Sequence, residues 1–319
     1  MITRNYPGPP PLNITRRSFI QAVAVAASSV PFGRAWGDIR VPTQGQKMLS
    51  RPIPSSNEPL PVIGLGTYRG FDVQPSSATY ENLPGVLDAL FDRGGSVIDS
   101  SPMYGRAEQT TGELLSANTT QSSAFLATKV WTQGRAEGIA QMERSFKLLQ
   151  TERIDLMQVH NLVDWKTHLP TLRRWKEEGR IRYIGISHYT SSAYSDVEAV
   201  IKAEALDFLQ INYALDDRAA ENRILPLCSE RGVAVLCNRP FGGGGLLSRL
   251  QGTPLPAWAP EVGATSWAQL ALKFLISHPS VTCVIPGTSN PQYMADNALA
   301  GFGSLLNERE RNELTGLIS

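Results

Sequence analysis

From Pro61 onward the chain alternates two patterns. Short apolar runs cover residues 62–67, 96–101, 124–130, 154–160, 183–188, 208–213, 233–239 and 282–289. Between them lie stretches with helical spacing, such as 136–150, where Glu137 falls on one face and Met142 and Phe146 on another, and 266–278. A strand that is apolar at nearly every position is buried on both faces, as in a parallel sheet covered by helices. Eight strand–helix units within about 240 residues predict an α/β fold closed as a (β/α)8 TIM barrel. An open, doubly wound sheet is the alternative. It calls for a Gly-x-Gly-x-x-Gly turn at the first helix, and Gly64-Leu65-Gly66 lacks the third glycine.

The segment before the barrel reads differently. Residues 1–13 are Pro-rich, and Thr15-Arg16-Arg17-Ser18-Phe19 then precedes a mild apolar stretch from Ala22 to Val30. Small residues follow at Ala35 and Gly37. This order resembles a twin-arginine export signal, with cleavage after Gly37. The apolar run is too short and too weak for a stable membrane anchor. The expected organisation is a signal over 1–37, a Pro/Ser/Gln linker over 38–58 and the barrel over 59–319. The expected partner is the twin-arginine export machinery, and the expected location periplasmic or secreted, or cytoplasmic if the signal does not function.

Charge and cysteines remove other classes. Residues 1–37 contain four arginines and no acid, which leaves 26 basic against 29 acidic residues in the rest. A mildly acidic body is not a nucleic-acid binder. Cys228, Cys237 and Cys283 are too few and too scattered for a disulfide framework or a zinc site, so no metal is expected.

In a parallel barrel the chemistry lies where strands end and loops begin. Polar residues collect there: Asp99, Lys129, His160, Ser187, His188, Gln210, Asn212 and Tyr213 each fall at the end of an expected strand. The surrounding motifs are Val97-Ile98-Asp99-Ser100-Ser101-Pro102-Met103-Tyr104-Gly105, Ala127-Thr128-Lys129-Val130-Trp131 and Ile154-Asp155-Leu156-Met157-Gln158-Val159-His160. Gly185-Ile186-Ser187-His188, Gln210-Ile211-Asn212-Tyr213 and Ile285-Pro286-Gly287-Thr288 continue the series. Together, at one per unit and in order over 60–303, they resemble the aldo-keto reductases.

That resemblance implies an NAD(P)H-dependent oxidoreductase acting on a small-molecule carbonyl substrate, or in reverse on an alcohol. Asp99, Tyr104, Lys129 and His160 would form its catalytic set. Hydride addition to a carbonyl leaves a developing alkoxide, which needs a proton from a positioned acid. Tyr104 is the candidate acid, Lys129 the ammonium that favours its phenolate, Asp99 the group that holds Lys129, and His160 the donor that orients the carbonyl oxygen. Trp131 would form a pocket wall, or else pack in the core.

The resemblance also places a cofactor along the same rim. Ser187, His188 and Gln210 would bind the nicotinamide carboxamide, with His188 standing where the family often has Asn, and Tyr213 would stack on the ring. The backbone of Gly66 and Thr67 would approach the same end. Arg239, Pro240, Phe241, Gly242 and Gly243 would wrap the phosphates, since glycines let backbone N–H groups approach phosphate oxygens. Gly287, Thr288, Ser289 and Gln292 would meet the adenosine end at a helix start, with Asp296 and Asn297 on the adenine side. NADPH is the expected cofactor. NADH is the alternative, because many NADPH-using members carry Lys at the position of Gly287 and Arg at that of Tyr293. A barrel that binds nucleotide in a regulatory role, with little turnover, is the competing function.

Overall fold

Eight parallel strands form one continuous ladder in the computed structural model of the protein, which describes residues 47–117 and 124–318. The described residues fall within one compact unit, Arg40–Ser319. The export signal expected over 1–37 lies outside the described residues. The barrel strands are β3 (Leu65–Gly66), β4 (Val97–Asp99), β5 (Phe125–Val130), β6 (Ile154–His160), β7 (Ile181–Ser187), β8 (Phe208–Asn212), β9 (Ala234–Asn238) and β10 (Cys283–Val284). Each pairs with its sequence neighbour in parallel. Helices α1 (Ala78–Phe91), α2 (Ala107–Ala117), α3 (Arg135–Leu148), α4 (Trp165–Glu177), α5 (Tyr194–Ala203), α6 (Ile224–Arg231), α7 (Gly245–Arg249), α8 (Trp267–Ile276), α9 (Pro291–Leu299) and α10 (Glu308–Leu317) follow in chain order. The closed TIM barrel expected from the pattern is the observed fold.

The first and last barrel strands are shorter than the apolar runs at 62–67 and 282–289. Closure between them uses only two isolated bridges, Ile63 to Val284 and Gly66 to Gly287. The backbones are nearly touching there. A Cβ on Gly66 would lie 3.0 Å from the Ile285 carbonyl oxygen, and one on Gly287 would lie 3.0 Å from that of Gly66. Both glycines thus ease closure, since a side chain at either position would press on the facing carbonyl oxygen.

The linker expected over 38–58 is corrected over its described part. Residues 50–52 and 59–61 form an antiparallel hairpin, β1 (Ser50–Pro52) with β2 (Pro59–Pro61). Ile53 and Leu60 are buried together with Val97, Phe125, Leu156 and Phe208 in the inner core of the barrel. The Pro/Ser composition reflects the turn and not an unstructured spacer. Arg51 ties the hairpin to the C-terminal end of α8, donating to the carbonyls of Ile276, His278 and Pro279 at 2.6–2.7 Å. A cation is favoured at that negative helix end, and those carbonyls have no partner inside the helix. Arg51→Ala is expected to lower stability by about 2–3 kcal/mol, since a hydrogen bond to a charged group contributes roughly 1.5–3 kcal/mol net of the exchange with water and these three share one part-exposed guanidinium. A lower urea midpoint with unchanged slope and unchanged activity is the expected readout. A midpoint equal to the parent's would remove the clasp.

The helix starts follow local chemistry. Ser266 caps α8 by accepting from the Gln269 N–H, Asn290 caps α9 by accepting from that of Gln292, with Pro291 at its first position, and Asn307 with Glu310 forms a capping box on α10. The three cysteines are free and buried. No helix among the described residues is long and apolar enough to cross a membrane.

Candidate active site

Strand pleating decides which side chains enter the barrel. On β8, Phe208 joins the inner core while Leu209, Ile211 and Tyr213 pack outward. Gln210 therefore points inward. On β6 the same alternation sends Leu156, Gln158 and His160 in, and Met157 and Val159 out. On β5 it sends in Phe125, Ala127 and Lys129. The strand ends thereby bring Asp99, Lys129, Gln158, His160, Ser187 and Gln210 together, each at most 5% exposed.

Asp99 is the hub. One carboxylate oxygen accepts from the Lys129 ammonium at 2.7 Å, and the other from the amides of Gln210 at 2.7 Å and Gln158 at 3.2 Å. Lys129 also donates to the Ser100 carbonyl at 2.6 Å, and its ammonium stands 5.1 Å from the centre of the Tyr104 ring. Burial works against its charge, but Asp99 and Tyr104 together outweigh that, and the lysine pKa stands above its ordinary value. Burial raises the Tyr104 pKa, and Lys129 opposes the rise. The phenol therefore keeps its proton at neutral pH, with a fixed ammonium ready to stabilise the phenolate.

His160 faces Tyr104 edge-on, ring centroids 6.3 Å apart, and its Nδ1 lies 2.7 Å from the Ser187 hydroxyl. Burial, with Lys129 and His188 nearby, lowers its pKa to about 3, so the imidazole is neutral. A histidine of ordinary pKa 6.5 that is held neutral in the fold binds fewer protons folded than unfolded between those two values. Stability contributed by His160 is therefore complete above about pH 6.5 and is lost as pH falls towards 3. The expected result is a melting temperature that falls through this window more steeply in the parent than in His160→Gln. Parallel curves would show that the buried ring contributes nothing.

The remaining expected residues divide. Trp131 is 41% exposed, and its backbone is bracketed by the Gln141 side chain at 2.6 and 3.2 Å, so it belongs to the mouth and not to the core. Tyr68 is exposed beside Tyr104, centroids 5.0 Å apart. It adds an aromatic wall that the sequence reading passed over. His188 is half-buried. Its Nδ1 accepts from the Thr190 N–H at 3.3 Å, and its ring stacks on Tyr189. Burial lowers its pKa, leaving it neutral with the proton on Nε2.

Tyr213 is a correction. It is fully buried on the outer side of β8, where its hydroxyl donates to Glu221 and accepts from Arg311, and its ring meets Phe274 and His278. It shares the parity of outward-facing Ile211, so it cannot stack on a ring inside the mouth. Thr67 is also enclosed: its hydroxyl lies 3.0 Å from both the Asp99 carbonyl and the Ser100 hydroxyl and pins β3 to β4. Asp296, expected on the adenine side, accepts instead from Ser266 at 2.7 Å and Gln269 at 2.5 Å, joining α9 to the start of α8. Asn297 is buried beside it on α9. Gln158 was not singled out from the sequence, although it stands two residues before His160 and so shares its face.

A nicotinamide nucleotide fits this rim on two observations. Arg239 has a left-handed backbone and begins a turn in which Gly242, Gly243 and Gly244 are all left-handed, so no side chain stands between this backbone and an approaching phosphate, although the N–H groups of Gly242 and Gly244 bond to the carbonyls of Arg239 and Phe241. The side-chain oxygens Asn212 Oδ1 and Asn238 Oδ1, at the ends of β8 and β9, are buried without a partner. At the α9 start, Thr288 Oγ1 accepts from the Asn290 N–H and Asn290 is spent on its cap, so Ser289 and Gln292 keep their side chains available. Among the described residues no group of His, Cys, Asp or Glu could hold a metal ion.

The sequence matches the aldo/keto reductase family over residues 62–318. The chain belongs to the aldo/keto reductase family. It is similar to the methylglyoxal reductase of Escherichia coli, 27% identical over 254 residues that cover 76% of this chain and 86% of that one. An aryl-alcohol dehydrogenase of Pestalotiopsis microspora is 28% identical over 64% of this chain, and the match spans 61% of that protein's length, less than two thirds. An aldo/keto reductase from Klebsiella pneumoniae, solved in complex with NADP and acetate, superposes with a TM-score of 0.72 at 27% identity, covering 85% of this chain and 95% of that one. This family member thus carries its polar barrel rim on the reductase scaffold.

Proposed function

We propose that this aldo/keto reductase reduces aldehydes or ketones to alcohols with NADPH, using Tyr104, Lys129, Asp99 and His160. The observation that carries the reading is the phenol–ammonium–carboxylate relay beside a neutral imidazole at one end of the barrel. When bound, the reduced nicotinamide supplies a hydride to the carbonyl carbon. Tyr104 gives its proton to the carbonyl oxygen. Lys129 then faces the phenolate, and Asp99 keeps the ammonium in place. Ser187 donates to Nδ1 of His160, which leaves the Nε2–H to orient the oxygen. His188 and Gln210 lie at the nicotinamide end, and Arg239–Gly244 with Ser289 and Gln292 provide the phosphate and adenosine contacts. The NADP-bound relative supports NADPH, while Gly287 and Tyr293 give no cation for a 2′-phosphate, so NADH is the comparison cofactor.

The test is nicotinamide oxidation by purified protein with NADPH or NADH. The panel includes a 2-oxoaldehyde and aryl aldehydes, chosen from the two named relatives. Oxidation with at least one carbonyl is expected, and none with any would sink the reading. Residues 1–37 support a further proposal, export by the twin-arginine route, on the order of Arg16-Arg17, apolar stretch and small residues. Arg16→Lys with Arg17→Lys is expected to leave unprocessed protein in the cytoplasm, and unchanged delivery would count against it.

A further inference from the structure

A nicotinamide carboxamide offers one acceptor and two N–H donors, so the protein must answer with a donor and an acceptor. Two residues that the family resemblance assigns to it are already engaged. Ser187 is held by His160 at 2.7 Å, and the Gln210 amide N–H is held by Asp99 at 2.7 Å. His188 retains an Nε2–H, because its Nδ1 accepts from Thr190. That is a donor only. Ser187 and Gln210 spend their donors in those bonds and keep acceptor oxygens, and a further acceptor, one with no partner at all, stands beside His188. Asn238, at the end of β9, pairs in register with Asn212 and shares the inward parity of Ala234 and Leu236. Its Nδ2 donates to the His188 carbonyl at 2.9 Å and lies 3.5 Å from Gln210 Oε1. Both of those atoms only accept, so the amide orientation is fixed and Oδ1 faces the other way. Oδ1 has no partner and is closed to water. A buried acceptor left unsatisfied carries the full cost of its lost hydration, and a ligand N–H that reaches it relieves that cost. The segment that follows, Arg239 with the left-handed Gly242–Gly244, has no side chains on its glycines to hold it against such an approach.

We infer that Asn238 accepts a hydrogen bond from the carboxamide N–H of the nicotinamide, and that it and His188 read the carboxamide as an acceptor–donor pair. The inference rests on the reductase reading above and assigns a cofactor-positioning role to a residue that motif position alone does not mark. Its location follows from pleat parity and from its contact with His188.

The test is a chemical cycle in binding, measured by calorimetry on the full chain. NADP+ is compared with its 3-acetylpyridine analogue, in which a methyl group replaces the carboxamide NH2, and with 2′-phospho-ADP-ribose, which lacks the ring. The parent is expected to bind NADP+ ~10-fold more tightly than the acetylpyridine analogue, the loss typical of one buried hydrogen bond. Asn238→Leu is expected to lose that discrimination and to bind 2′-phospho-ADP-ribose as the parent does. Asn238→Ala, which leaves the space open, is run in parallel against misfolding of the leucine variant. Equal affinity of the parent for both dinucleotides overturns the inference, as does full discrimination in either folded variant. If none of the three binds the parent, the cycle is run with NAD+, its 3-acetylpyridine analogue and ADP-ribose, and failure of these as well overturns the reductase reading itself, and the inference with it.

Discussion

Tyr104→Phe is expected to lower kcat for carbonyl reduction by about 100- to 10 000-fold, the range general acid catalysis supplies, while nucleotide affinity stays within about twofold. The substitution removes one oxygen and keeps the ring, so the contacts with Tyr68 and His160 persist. What disappears is the proton that neutralises the developing alkoxide. Lys129 cannot replace it directly, because Asp99 and the Ser100 carbonyl hold its ammonium in the wall of the barrel. Since burial raises the Tyr104 pKa, the parent's reduction rate should hold through neutral pH and fall only in the alkaline range, where the phenol loses its proton. A variant with kcat within about tenfold of the parent would take the acid role from Tyr104.

Lys129→Met is expected to cost about 3–5 kcal/mol of stability as well as activity, the loss that follows when one member of a buried ion pair is removed. Lys129 is fully buried and Asp99 is 2% exposed, so the carboxylate cannot turn to water. Two amide donors, from Gln158 and Gln210, remain to hold a full negative charge. Adding Asp99→Asn to the methionine variant removes that charge and should restore part of the stability but none of the activity. Denaturant unfolding of the parent, both single variants and the double variant gives the coupling. Strict additivity would mean that the pair is not a unit. In the proposed mechanism the pair also makes Tyr104 usable, so stability and chemistry would depend on the same contact.

Much of this was legible from the chain. The eight apolar runs announced the barrel because a strand covered on both faces leaves a continuous apolar signature, and Asp99, Lys129 and His160 stood out as polar ends to such runs. Tyr213 was misread because motif position was followed and strand parity was not: counting by twos from Gln210 places it on the outer face. Gln158 and Asn238 are polar residues at strand ends like the others, and the same count would have marked both as inward. The hairpin over 50–61 was hidden because Pro and Ser suit a turn as well as a spacer, and only Ile53 and Leu60 hint at burial. The positions of Asp296 and Thr67 depend on contacts with α8 and β4, between segments 27 and 33 residues apart in sequence. No local pattern records those.

The seam between β3 and β10 bears on how the barrel assembles. Its backbone bonds, Gly64 and Gly66 to the carbonyls of Val284 and Pro286 and Val284 to that of Val62, join segments at opposite ends of the domain. Their contact order is the highest of any strand pair here, and closing so long a loop costs the most entropy for the fewest ladder bonds. The expected order of folding therefore begins in the long central strands β5 to β7 and ends at the glycine seam. Asp99 lies in register with Gly66 on that late-closing edge, so the chain reaches a nearly complete scaffold before the hub of its buried polar cluster is enclosed.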